Sequence, residues 1–284
     1  MRGFFLRDRM LLSNAQRSLD LSQPQVMGIL NLTPDSFSDG GCYTQVDLAL
    51  EHALQMVEAG AALIDLGGES TRPGAAPVSA QQECDRVLPV LQALRPLTDA
   101  WISVDTSNPE LMREAAALGA DLINDVRALR QPGALEAAAA SGLPVCLMHM
   151  RGEPGHMQTL ADYESVMASV ESFLTERIHA CEQAGIKRDR LLLDPGFGFA
   201  KTLAHNLQLL KNLSRLGHLG LPLLVGMSRK RMLGDLTGRP ADQRLGAGIA
   251  AHLLAVDQGA SIVRVHDVAP MVDALKVWQA VQTG

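Results

Sequence analysis

Aromatic residues are scarce in this chain: two Trp, two Tyr and six Phe among 284 residues, 4% of the whole. A core built on aromatic stacking is thereby excluded. The 47% of residues that are hydrophobic must pack mainly as aliphatics and Ala, with Gly allowing close approach. Such a composition suits helices lying close on a sheet better than a β-sandwich. Cysteine is sparse as well. Cys42, Cys84, Cys146 and Cys181 form no Cys-x-x-Cys and no zinc-ligand spacing, so reduced thiols are expected. No apolar run approaches the ~18 residues of a membrane span. Residues 1–20 carry Arg2, Arg7, Asp8 and Arg9 without the apolar stretch of a secretory signal, and a cytoplasmic protein is expected. No basic run interleaved with aromatics occurs, which argues against nucleic acid as a partner. The formal net charge is −6, so an anionic ligand would need cations gathered locally.

What the chain does have is a repeated junction. It reads Glu58-Ala-Gly60-Ala-Ala-Leu-Ile64-Asp65, then Ala117-Leu-Gly119-Ala-Asp-Leu-Ile123-Asn124, then Asp257-Gln-Gly259-Ala-Ser-Ile-Val263-Arg264. An amphipathic helix stops at a Gly suited to the left-handed conformation, and a short aliphatic strand follows and ends in a polar residue. Counted this way, strands fall at residues 26–30, 63–66, 102–104, 122–123, 145–148, 191–193, 223–225 and 262–265. They are continuous apolar runs, as expected of strands covered on both faces. Helical patterns at 46–59, 109–118, 164–184 and 246–258 separate them. Alternating strands and helices imply a parallel sheet. Eight units in about 260 residues favour a single (β/α)8 TIM barrel, with an open doubly wound sheet as the alternative. No GxGxxG follows the first strand, which removes the dinucleotide version of that alternative. The expected division is an N-terminal extension over residues 1–24, a strap or hairpin at the barrel bottom, and a barrel over 25–284.

Barrel enzymes place their chemistry where strands end. The polar residues there are Asn31, Asp65, Glu69, Asp105, Asn124, Asp125, His149, Asp194, Ser228, Lys230, Arg264 and His266. Any one of them could simply cap the next helix, as Ser107 or Asn108 is expected to do ahead of Pro109. Together they form a polar rim. Ser228-Arg229-Lys230-Arg231 opens a helix with three cations where acidic residues are usual, an expected anion site. Arg264 and His266, two apart on the last strand, should point to one side. Two loops, 31–41 and 67–74, mix Gly and Pro with polar residues and Phe37, a composition suited to lids.

At these residues the chain resembles the dihydropteroate synthase family of pterin-binding barrels, folate-pathway enzymes inhibited by sulfonamides. The resemblance rests on Met27-Gly-Ile-Leu-Asn-Leu-Thr-Pro-Asp-Ser-Phe-Ser-Asp-Gly-Gly41, Asp65-Leu-Gly-Gly-Glu-Ser-Thr-Arg-Pro-Gly74, Asp194-Pro-Gly-Phe-Gly-Phe199, Ser228-Arg-Lys230 and Arg264-Val-His266, in order. It implies condensation of (7,8-dihydropterin-6-yl)methyl diphosphate with 4-aminobenzoate, a Mg2+ cofactor and a homodimer. It further implies that Asp105, Asn124, Asp194 and Lys230 hold the pterin. Asn31, Thr71, Arg264 and His266 would take the diphosphate, with Asn31 also reaching the metal. Phe37, Thr71, Arg72, Pro73 and Ser228 would shape the aminobenzoate pocket. Asp39, Asp105 and Lys230 would be catalytic, the carboxylates stabilising a cationic pterin fragment. A pterin-dependent methyltransferase domain and a non-catalytic pterin-binding paralogue are the alternatives. The first would need neither the Ser36–Gly41 loop nor the basic tips. The second would show degraded loops.

Overall fold

The structure is a computed structural model that describes residues 10–33, 42–70, 78–153 and 157–283. Ten strands and nine α-helices appear among these residues. A hairpin of β1 (Leu11–Ser13) and β2 (Ser18–Asp20) comes first. The barrel then alternates β3 (Gln25–Asn31), α1 (Cys42–Glu58), β4 (Leu63–Gly67), α2 (Ala80–Leu94), β5 (Trp101–Asp105), α3 (Pro109–Ala117), β6 (Leu122–Asp125), α4 (Ala134–Ser141) and β7 (Val145–Met148). It continues with α5 (Val166–Gln183), β8 (Leu191–Asp194), α6 (Leu203–Lys211), β9 (Leu223–Val225), α7 (Arg231–Thr237), α8 (Leu245–Asp257), β10 (Ala260–Val265) and α9 (Val268–Thr283). Strands β3 to β10 are all parallel and close into one barrel, β10 pairing with both β3 and β9. The eight strands read from the sequence are these eight. The Gly stops also form as read: Gly60, Gly119 and Gly259 all carry positive φ.

Alternation along each strand divides the side chains between two cores. Ile64, Leu66, Ile102, Val104, Ile123, Val145, Leu147, Leu191, Leu193, Val225 and Val263 face outward and join the helices in the larger core. The inner face begins at the bottom with one residue from each strand: Met27, Leu63, Trp101, Leu122, Cys146, Leu192, Leu224 and Ile262. Leu12 and Leu21, from the hairpin segment, are buried in that same cluster. Asp121 fixes the hairpin from the barrel side, accepting from Arg17, Arg95 and Asn14. The lower barrel is therefore filled and apolar.

Two residues further along each strand, the inner face changes character. The positions become Ile29, Asp65, Ser103, Asn124, Met148, Asp194, Gly226 and Arg264. Five of the eight are polar or charged. This polar tier lies directly above the apolar floor, towards the C-terminal ends of the strands.

Candidate active site

Arg264 crosses the tier. Its Nε donates to Asp65 Oδ2 at 2.6 Å, and a terminal nitrogen donates to Asp105 Oδ2 at 2.9 Å. Asp65 is fully buried, and its Oδ2 also accepts from the Asn124 amide at 3.0 Å. The two carboxylates hold the Arg264 guanidinium in its charged form, raising its pKa against the cost of burial. Burial pushes the Asp105 carboxyl upward, and the Arg264 guanidinium opposes the shift.

Asp194 and Lys230 bring two further charges, which act on each other at longer range. Burial raises the Asp194 pKa, and the Lys230 ammonium works against that rise. Lys230 is pushed down to about 8 by burial, Asp194 opposing. Lys230 Nζ donates to the Phe197 carbonyl and lies 4.5 Å above the Phe199 ring. Asp194 Oδ1 accepts from the Gly196 amide at 2.7 Å. The Phe197–Lys201 loop is held from beneath by the buried Lys201, which no sequence motif marks. It donates to the Gly196 and Phe199 carbonyls at 2.8 and 3.0 Å and meets His149 Nδ1 at 2.9 Å. Burial drives its pKa well below the usual lysine value. His149 is held neutral by burial and by the cations around it, so its Nδ1 can accept from Lys201.

The expected cation cluster at α7 is corrected by the structure. Arg229 turns outward to Asp267, 2.8 Å away. Arg231 is 90% exposed and pairs at 3.6 Å with Asp235 one turn on. Lys230 alone of the three turns inward, because Arg229 takes a left-handed conformation (φ 59°) and reverses the chain there. Ser228 reaches His266 instead: its Oγ lies 3.0 Å from His266 Nδ1 and accepts the His266 amide at 3.3 Å. The tips of β9 and β10 are tied together by this contact. Asn108, not Ser107, caps α3, accepting from the Glu110 amide. Ser107 donates to Asp125. Asn31 ends β3, half-buried, beside Gly67 of β4. Phe37, Asp39, Thr71, Arg72 and Pro73 lie outside the described residues.

The sequence also gave no sign of Arg127. Its guanidinium binds both Glu69 oxygens at 3.0 and 3.2 Å, Glu153 at 2.6 Å and Ser107 Oγ at 3.1 Å. It thus joins the loops after β4, β5, β6 and β7. Gly68 packs against α2, and its carbonyl accepts from Arg86 at 2.7 Å. A cleft of about 560 Å3 lies nearby, lined by Arg130, His149, Arg151 and Phe173. The β10, β4, β5 and β8 tips place their buried charges in the barrel interior rather than in that cleft.

Three carboxylates, an amide, an ammonium and a guanidinium gather at the C-terminal ends of the strands of a closed β/α barrel, the arrangement of a barrel enzyme that takes a polar ligand. The Pterin binding enzyme family matches residues 27–266, and the chain belongs to it. It is 56% identical over 263 residues to the dihydropteroate synthase of Escherichia coli K12, covering 93% of each chain. It superposes on Yersinia pestis dihydropteroate synthase, solved with a sulfonamide drug complex, with a TM-score of 0.92 and 56% identity over 97% of this chain and 100% of that one. Dihydropteroate synthase from Xanthomonas albilineans, solved with 4-aminobenzoic acid, gives a TM-score of 0.92 and 55% identity over 98% and 100%.

Gly196 provides a test of this local architecture. Its φ is +70°, and an added Cβ would stand 1.9 Å from the His149 carbonyl oxygen. Gly196→Ala should cost roughly 2–4 kcal/mol in denaturant unfolding. Gly220→Ala has a similar φ of +68° but open space around it and should cost only about 1 kcal/mol. Equal losses would mean that the contact with His149 is unimportant.

Proposed function

We propose that the protein is a transferase of folate biosynthesis. It condenses (7,8-dihydropterin-6-yl)methyl diphosphate with 4-aminobenzoate, giving 7,8-dihydropteroate and diphosphate. The observation that carries the proposal is the set of buried Asp65, Asn124 and Asp194, with the partly buried Asp105, Lys230 and Arg264, at the strand ends in a chain of this family.

A pterin edge presents an amino group beside a ring N–H. The Asp194 carboxylate can accept both together, a charge-assisted bidentate contact. Asn124 can donate and accept at once. Lys230, as an ammonium, can donate to the ring carbonyl. Asp105 can accept a further ring N–H. The low dielectric that perturbs these groups also strengthens each such contact.

The difficult step is departure of diphosphate from the methylene carbon. Arg264 and His266, at the end of β10, would stabilise the charge growing on that group. Asp105 and the loop carboxylate Asp39 would balance the cationic pterin fragment. The arylamine is neutral near pH 7 and needs no strong base before attacking the methylene; its proton leaves as the new C–N bond forms. Ser228, with Phe37, Thr71, Arg72 and Pro73, would shape the pocket for the aminobenzoate ring. Water must be kept from the cation until the amine arrives.

Among the described residues no group of three His, Cys, Asp or Glu could hold a metal alone. Mg2+ often takes only one or two protein oxygens beside substrate phosphates and water. The Asn31 amide oxygen, at the tip of β3, suits such a donor set, and the ion would then supply charge neutralisation to the leaving diphosphate.

Incubation with pterin diphosphate, Mg2+ and radiolabelled 4-aminobenzoate should yield labelled dihydropteroate. Good pterin binding without labelled product would sink the synthase reading in favour of a non-catalytic relative. The Lys230 pKa of about 8 makes a second prediction. Its ammonium is the donor, present below that value and lost above it. Pterin affinity should fall roughly tenfold by about pH 9, measured by calorimetry, and Lys230→Met should flatten that alkaline limb. A limb that persists in the variant would assign the titration to another group.

A further inference from the structure

Asp65 has no place among the residues expected to touch either substrate, yet it is the most enclosed charge in the tier. Its exposure is zero. One of its oxygens takes both the Nε of Arg264 and the amide of Asn124. A single carboxylate oxygen therefore anchors two side chains, one assigned to the diphosphate and one to the pterin. Its other oxygen, and Ser103 Oγ on the paired position of β5, are buried without a partner among the described residues.

Arg264 also holds Asp105, and this contact creates a conflict. Asp105 is assigned to a ring N–H of the pterin. A guanidinium held by Asp105 alone would compete with the pterin for that carboxylate, and would lose its anchor once the pterin bound. Asp65 removes the conflict, because Nε sits on the inner side of the guanidinium and stays bound whether or not Asp105 is shared. The side chain stays 20% exposed while held this way, so the guanidinium can still meet an incoming anion.

We propose that Asp65 is a positioning residue: it fixes Arg264 through Nε, without touching either ligand, so that the guanidinium meets the leaving diphosphate. The proposal rests on the reading of the site given above. A purely structural Asp65, present only to neutralise a buried Arg, would have no effect on ligand selectivity.

The experiment is calorimetric binding of two ligands, pterin diphosphate and the bare hydroxymethyl pterin, to the full chain. Wild type, Asp65→Asn, Arg264→Gln and the double variant are compared. Asp65→Asn keeps the size and one acceptor but removes the charge. It should weaken pterin diphosphate by about 10–100-fold, the usual effect of removing a supporting partner, and bare pterin by much less. The double variant should show the same selectivity as Arg264→Gln alone, since Asp65 acts through Arg264. Equal losses for both ligands, or losses that add in the double variant, would overturn the proposal. Should Asp65→Asn fail to fold, Arg264→Lys serves instead. It keeps the charge and lacks the Nε donor, so it should lose the same selectivity; wild-type selectivity in that variant would overturn the proposal. Failure of the wild-type chain to bind either ligand would instead overturn the reading of the site, and the positioning role with it.

Discussion

Arg264, held between Asp65 and Asp105 inside the barrel, is the interaction on which the site depends. Charges taken out of water are tolerated only when paired and hydrogen-bonded, and breaking such a pair leaves an uncompensated charge. The pair therefore constrains what lies around it. Below it the barrel must be dry and filled, which the eight apolar residues of the lowest tier and the hairpin's Leu12 and Leu21 accomplish. Beside it Asn124 must give its amide to Asp65.

Asp194 and Lys230 are not in direct contact but act on each other at longer range. Burial disfavours both charges and their mutual attraction restores part of the loss. Lys230 reaches the Phe197 carbonyl, a neutral acceptor that a substrate carbonyl could replace with little rearrangement. Lys201 keeps this side of the pocket rigid by binding the loop carbonyls from behind. The pocket is thus organised before any ligand arrives, which lowers the cost of ordering on binding.

The barrel was legible in the sequence because its signals are local. Helix, Gly stop, buried strand and polar tip recur within a few residues, and all eight barrel strands followed from them. The inward residues Asn124, Asp194, Lys230 and Arg264 were legible from their positions at strand ends. The cation run at 229–231 misled, since three adjacent residues around a left-handed turn point three ways, and only Lys230 turns inward. Arg127 and Lys201 were not legible at all. Each sits in a connection, where a charged residue reads as solvated, and its burial is set by loops distant in sequence. Asp65 was visible as a tip residue, but its tie to Arg264, 199 positions away, was not.

A crystal structure of this chain with bound pterin diphosphate tests the central claim most directly. The account predicts the pterin edge on Asp194 and Asn124 inside the barrel, its carbonyl on Lys230 and the diphosphate beside Arg264 and His266. A pterin bound instead in the cleft of Arg130, Arg151 and Phe173, with Arg264 still closed on Asp105, would contradict it.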